Sequence, residues 1–152
     1  MSEAATRLHP ASAQQAQQEI VEAFRCFDDW AERYQLLIEL GRSLPPLAPE
    51  ERSDRGRLHG CQARSWLVVH PGQDGRLHFR AASESAIVSG LLALLLRVYS
   101  GHTPDEILRI DPWFLKECGL EEHLSPHRQT GIAHILQEIR VQARVALLER
   151  AR

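Results

Sequence analysis

The chain has 152 residues, of which 43% are hydrophobic and 25% charged, and its formal net charge is −2. That length suits one domain with a sizeable core, and the composition excludes disordered, collagenous and low-complexity classes. The near-neutral balance, 18 basic against 20 acidic residues, leaves no electrostatic footprint for nucleic acid or an anionic membrane. Three cysteines, Cys26, Cys61 and Cys118, stand far apart with no C-x-x-C. An odd count at such spacings argues against a disulfide framework and a four-cysteine zinc site.

In chain order, residues 1–12 read as a flexible leader and 13–152 as a single domain. Met1 to Pro10 has no basic region followed by an apolar core, so no secretory signal is expected. Ala16, Ile20, Ala23, Phe24 and Phe27 recur at helical spacing. Asp28 or Asp29 can cap a second helix through Trp30, Tyr34, Leu37 and Leu40, with Gly41 as its stop. Three prolines between Ser43 and Pro49 then forbid regular structure, and a polar loop follows to Arg57.

Two strands come next. Trp66 to His70 is β-branched and aromatic. Arg76 to Ala81 alternates, with Leu77, Phe79 and Ala81 on one face and Arg76, His78 and Arg80 on the other. Pro71 to Gly75 between them reads as a hairpin turn, and a short third strand is expected at Arg57-Leu58-His59. The expected sheet is antiparallel, one face buried and one wet. The rest is helical. Ser83 or Ser85 caps a helix from about Ala86 to Tyr99, apolar nearly all round and so placed centrally against the sheet. Its apolar run, bounded by Glu84 and Arg97, is too short to span a bilayer. A cytoplasmic protein with reduced thiols is the expectation. Thr103-Pro104-Asp105-Glu106 is a capping box with proline at the first helical position, and Asp111-Pro112 and Ser125-Pro126 repeat the cap-then-proline pattern. The last helix carries Ile132, Ile135, Leu136, Ile139, Ala143, Ala146 and Leu147 on one face. The order predicts an α+β fold in two layers.

Cys26 and Cys118 read as small buried hydrophobes. Cys61 differs. It follows Gly60 where a polar loop enters a strand, with Arg57, His59 and Arg64 near it in sequence. Positive charge lowers a thiol's pKa, and loops tend to carry reactive groups. On residue chemistry alone the choice between a reactive and a structural thiol stays even.

The segment His59-Gly60-Cys61-Gln62-Ala63-Arg64-Ser65-Trp66-Leu67-Val68 resembles the GCQSxVWLV stretch of the SufE/CsdE family of sulfur acceptors. Further pieces follow in the same order: Trp30 to Tyr34, Ile38 to Gly41 with Leu44-Pro45, Ser83 to Leu91, Gly101 to Ile107, and Leu124 to Arg128 with Gly131. The resemblance implies a SufE/IscU-like fold, with a three-stranded antiparallel sheet packed against helices. It implies a carrier that takes persulfide sulfur from a PLP-dependent cysteine desulfurase (SufS- or CsdA-like), stimulates that enzyme, and passes the sulfur to an iron–sulfur scaffold or other acceptor. The carrier itself would then be no enzyme. Cys61 matches the nucleophile, with Gly60, Gln62, His59, Arg128 and Glu84 as supporting residues. No bound cofactor or metal is implied for this chain; the PLP belongs to the partner. Arg128 either positions the loop or the desulfurase, or is a first-turn residue in a salt bridge. Glu84 either faces the partner or sits in a helix's first turn. Ala63, Ala82, Glu84 and His127 depart from the family pattern, and these departures bear on which desulfurase is the partner.

Three rival readings are distinguishable. A cysteine hydrolase or acyl-transferase needs a histidine base and an orienting acid at Cys61, and His59 is only two positions away. A metal site could draw on Cys118, His123, His127 and His134, although the Ser125-Pro126 helix start interrupts their spacing. A non-catalytic interaction module could dock a partner through the proline-rich loop by way of Leu44 and Leu47.

Overall fold

The computed structural model describes residues 12–151, so the expected leader lies outside the described residues except for Ser12. Ser12 caps helix α1 (Ala13–Arg25), its side chain accepting from the Gln15 amide. Asp29 caps α2 (Trp30–Arg42) in the same way. Then follow β1 (Ser65–Pro71), β2 (Leu77–Ser83), α3 (Ala86–Tyr99), α4 (Pro104–Arg109), α5 (Phe114–Glu117), α6 (Leu120–His123) and α7 (Pro126–Arg150). Ser85, Thr103 and Ser125 are the N-caps of α3, α4 and α7, with Pro104 and Pro126 opening their helices. Each cap gives a partner to an amide that the helix leaves orphaned.

The apolar helix α3 is the hub. Leu91, Leu92, Leu94, Leu95, Val98 and Tyr99 are all buried, and α3 packs against α2, β2, α1 and α7. Its closest approach is to α2. A Cβ added to Gly90 would lie 2.7 Å from the Leu37 carbonyl carbon, and one on Gly41 would lie 2.7 Å from the Gly90 nitrogen. Gly41 is therefore no helix stop: α2 runs through it to Arg42, and its missing side chain is what lets the two helices touch. Ile132, Ile135, Ile139 and Ala143 of α7 close the core, as the stripe predicts.

The sheet has two strands, not three. β1 and β2 pair antiparallel from Ser65↔Ser83 to Pro71↔Leu77 around the expected hairpin. The expected third strand shrinks to an isolated bridge, Arg57↔Trp66, with the Leu58 amide donating to the Ser65 carbonyl at 2.8 Å. A 3-10 turn at Asp54–Gly56 and a turn at His59 and Gly60 bracket the segment, leaving too few extended residues for a ladder.

The outer face of the sheet is wet only at its hairpin end, where His70 and His78 are exposed. The loop after α2 folds over it. Arg80 holds both carboxylate oxygens of Glu51, at 2.7 and 2.9 Å, and the Pro46 carbonyl at 2.7 Å. Leu47 is buried beneath this clamp, and the Arg52 guanidinium stands 5.4 Å from the Trp66 ring centre.

Two further expectations are corrected. Asp111-Pro112 starts no helix; α5 begins only at Phe114. Gln17, buried on α1, occupies this stretch instead, donating to the Asp111 carbonyl and accepting from the Phe114 amide, both at 3.1 Å. Cys26 is exposed, because it caps the end of α1 where the apolar stripe has already turned away. Cys118 is buried as expected, and its loss of water pushes the thiol up to about 12.

Candidate functional site

Cys61 lies on the loop between Leu58 and β1, and both ends of that loop are anchored. At the near end stands the Leu58–Ser65 hydrogen bond already described. At the far end Arg64 and Glu84 grip each other twice: the Glu84 amide donates to the Arg64 carbonyl at 2.9 Å, and the Arg64 guanidinium donates to both Glu84 oxygens at 3.1 and 2.8 Å. Below this, Ser65 and Ser83 join hydroxyl to hydroxyl at 2.8 Å, and Ser83 also accepts from the Ser85 amide. The serines and the acid of the Ser83-Glu84-Ser85 segment therefore tie the end of β2, the start of α3 and the cysteine loop together.

Between its anchors the loop turns at Gly60, whose φ is +95°. This conformation is open to glycine and costly for other residues. The turn sets Cys61 against the first two turns of α7. Its thiol is half-buried in a cleft of about 380 Å³ lined by Gln62, Ser85, Val88, Arg128, Gly131 and Ile135, among others. Gly131 faces the sulfur across the cleft, where a Cβ would stand 3.6 Å from Sγ. Arg128, in the first turn of α7, reaches over to the Ser85 hydroxyl at 3.4 Å, linking the start of α7 to the start of α3 at the cleft rim.

Of the sequence-predicted residues the structure thus brings Cys61, Gln62 and Arg128 to one cleft, with Gly60 shaping the turn. It does not bring His59 or Glu84 there. His59 is exposed and lines a separate polar cavity of about 410 Å³ with Arg55, Arg57, His134 and Glu138. Glu84 precedes the Ser85 cap, so it lies outside the helix's first turn, and it is the ion-pair partner of Arg64. Hydrogen bonds from Arg64 hold its carboxyl below the usual range.

This arrangement reverses the expected electrostatics of the thiol. Burial pushes Cys61 up from its ordinary value rather than down. The neighbouring charges are spent elsewhere: Arg64 on Glu84, Arg57 and His59 beside the other cavity. A thiol so placed is protonated at rest and weakly nucleophilic.

The rival chemistries find no support in the geometry. No hydrogen bond joins Cys61 to a histidine among the described residues, and His59 opens onto a different cavity. The four residues weighed for a metal are dispersed. Cys118 is in the core, the His123 ring stacks on Trp30 with centres 4.0 Å apart, His127 edges the cleft, and His134 packs on Gly60. Among the described residues no three His, Cys, Asp or Glu side chains are grouped to hold a metal. The proline-rich loop is occupied against the sheet, with Leu47 buried. Among the described residues no helix is long and apolar enough to cross a membrane.

Ser85, Gly131 and His134 carry roles at the site that residue chemistry alone did not assign. For the two α7 residues the signal is spacing: Gly131 follows Arg128 by three positions and His134 follows Gly131 by three, so each stands next to the one before it on the helix surface.

Comparison with known proteins bears on the family and the fold. The family model described as "SufE: Fe-S metabolism associated domain" matches residues 18–143. An uncharacterized SufE-like protein of Rhizobium etli is 38% identical over 131 residues, covering 84% of this chain and 88% of the relative. The fold is similar to the solution structure of a hypothetical protein from Thermus thermophilus, with a TM-score of 0.70 and 25% identity, covering 88% of this chain and 96% of that one.

Proposed function

The chain belongs to the SufE family, a domain associated with Fe–S metabolism, and on that premise we propose that it carries sulfane sulfur as a persulfide on Cys61. The donor is the cysteine persulfide of a PLP-dependent desulfurase of the SufS or CsdA kind, and the recipient is an iron–sulfur scaffold or another acceptor. The observation that carries the reading is the setting of the Cys61 thiol: half-buried in a cleft of mixed apolar and polar lining, on a loop held at its ends, with Gly131 opposite the sulfur.

The exchange follows from thiol chemistry. Cys61 gives up its proton, and its thiolate attacks the outer sulfur of the partner's Cys–S–SH. The partner's S–S bond breaks as the new one forms, and the partner cysteine leaves as a thiolate. One sulfane sulfur moves, and no external oxidant or reductant is consumed. The chain acts as an acceptor and activator in this scheme, clearing the desulfurase's persulfide for the next turnover.

Shelter and reactivity make opposite demands. A protonated thiol in the cleft attacks slowly, and water and small thiols reach a sheltered persulfide poorly. Swinging the loop outward restores water around Cys61 and with it the ordinary acidity of a thiol. Gln62 and Arg128, at the cleft, are placed to meet a partner's surface when the loop extends.

Mixing the protein with a cysteine desulfurase and cysteine should add about 32 Da (one sulfur atom, on persulfide chemistry) to the peptide containing Cys61. Cys61→Ser should neither gain this mass nor stimulate the desulfurase. Sulfur uptake and stimulation by Cys61→Ser would overturn the assignment.

A further inference from the structure

We infer that His134 is a positioning residue for Cys61, holding the cysteine loop in its tucked position by laying its ring on Gly60. The inference rests on the carrier reading of Cys61 and adds to it what decides how much of the carrier is tucked.

Its basis is geometric. The three atoms that a Cβ on Gly60 would meet first are all ring atoms of His134, with Cγ and Nε2 at 2.6 Å. The imidazole therefore occupies the space where any other residue at position 60 would put its side chain. One turn earlier on the same helix, Gly131 presents a notch to the Cys61 sulfur. α7 thus meets two consecutive loop residues with two complementary shapes: a flat ring over the glycine and a gap beside the thiol.

Among the described residues no hydrogen bond holds Gly60, Cys61 or Gln62. The Leu58–Ser65 and Arg64–Glu84 hydrogen bonds fix its ends. His59 and Gln62 are exposed, and His59 and His134 line the polar cavity on the far side of the loop from the cleft. Gly60 and Cys61 lie between the two cavities, and α7 packs against both residues. Taking the ring away removes the three atoms nearest the Cβ position of Gly60, the most conformationally free residue of the loop.

The test reads exposure directly and needs no desulfurase. The full-length protein is alkylated with iodoacetamide and each cysteine is followed by mass mapping, with exposed Cys26 and buried Cys118 as references in the same molecule. His134→Ala should raise the Cys61 rate relative to Cys26 about fivefold, a modest shift toward a minor open state, while Cys118 stays unreactive. His134→Phe, which keeps a flat ring, should return Cys61 to slow reaction. An unchanged Cys61 rate in His134→Ala overturns the inference. So does a joint rise of Cys61 and Cys118, which would mean general loosening, and so does a His134→Phe variant as fast as His134→Ala. Because alkylation is independent of sulfur loading, failure of the carrier reading would show in the separate persulfide assay and leave this result interpretable.

Discussion

Gly60→Ala perturbs the cysteine loop at its turn, and the size of the effect can be worked out. The residue stands at φ +95°. An L-residue in left-handed backbone costs roughly 1–2 kcal/mol. The new methyl also takes the place of the His134 ring, and displacing that ring pushes the loop the same way, toward opening. Relief comes from opening the loop, not from unfolding the protein, because local segments open independently of the core. At about 1.4 kcal/mol per factor of ten, 1–2 kcal/mol shifts the tucked–open equilibrium by about 5- to 30-fold. The assay is the reaction of Cys61 with a chromogenic disulfide, run in a Cys26→Ser background so that one accessible thiol is counted. Gly60→Asn should react least fast of the variants, because asparagine tolerates left-handed backbone. Gly60→Ala should be faster and Gly60→Val fastest, the last being β-branched. The fall in Tm is bounded by about 4–8 °C, since each kcal/mol is worth about 2–4 °C at this size. Equal reaction rates for all three variants and the parent would refute the account of the loop as a strained, glycine-dependent turn.

Other parts of the structure yield sharp expectations too. Gly90→Ala puts a methyl 3.0 Å from the Leu37 Cα; overpacking at about 1–3 kcal/mol outweighs alanine's gain in helix propensity of up to about 1 kcal/mol, so calorimetry should show a lower Tm. A Tm at or above the parent's would mean that α2 and α3 can part freely. The Ala48 amide and the Arg80 guanidinium hold the Glu51 carboxyl below its ordinary value. Because the folded value is the depressed one, the clamp is at full strength above the ordinary carboxylate range and is lost as pH falls through the folded value. In an acid titration followed by amide shifts across residues 44–57, Arg80→Ala should move the midpoint upward, and an unmoved midpoint would sink the clamp. Cys118→Ser places a hydroxyl in an apolar site and should cost about 1–3 kcal/mol, whereas exposed Cys26→Ser should stay within about 0.5 kcal/mol. Both should still load sulfur on Cys61, and mapping of the added sulfur to Cys26 would contradict the site.

What could be read from the sequence was whatever is decided locally. Asp29, Ser85, Thr103 and Ser125 cap helices because a short polar side chain can reach an amide two or three residues on, whatever the rest of the chain does. The alternation of Leu77, Phe79 and Ala81 likewise needs only one buried face. Features that depend on distant partners were not legible. Gly41 looked like a helix stop because its real partner, Gly90, lies in another helix. That the outer sheet face is covered over part of its length is not legible, because nothing in β2 announces that Arg80 will hold Glu51 and Pro46 over it. At the site, Gly60 and the family motif point to Cys61 as the candidate, but its charge environment is not legible in the sequence. Nearness in sequence put Arg57, His59 and Arg64 around the thiol, whereas the turn at Gly60 carries two of them to the other cavity and Glu84 takes the third. The wall of the cleft comes from α7, far downstream in the chain, and only the fold brings it there.

The two-stranded sheet has a bearing on how the protein stays apart from its own copies. An isolated hairpin is marginal in water, and bare strand edges recruit other strands. Here the outer edge of β2 is taken up by its own chain: the Leu77 amide donates to the His102 carbonyl, the Leu77 carbonyl accepts from Gly101, and the Phe79 amide donates to the Ser100 hydroxyl. The start of β1 is taken up by Arg57 and Leu58. The residues that cover the start of the β1 edge are those leading into the cysteine loop. Pairing at that edge is thus discouraged by the same few residues that deliver the Cys61 thiol to its cleft, so protection of the edge and placement of the thiol depend on one stretch of backbone, and damage to it would compromise both.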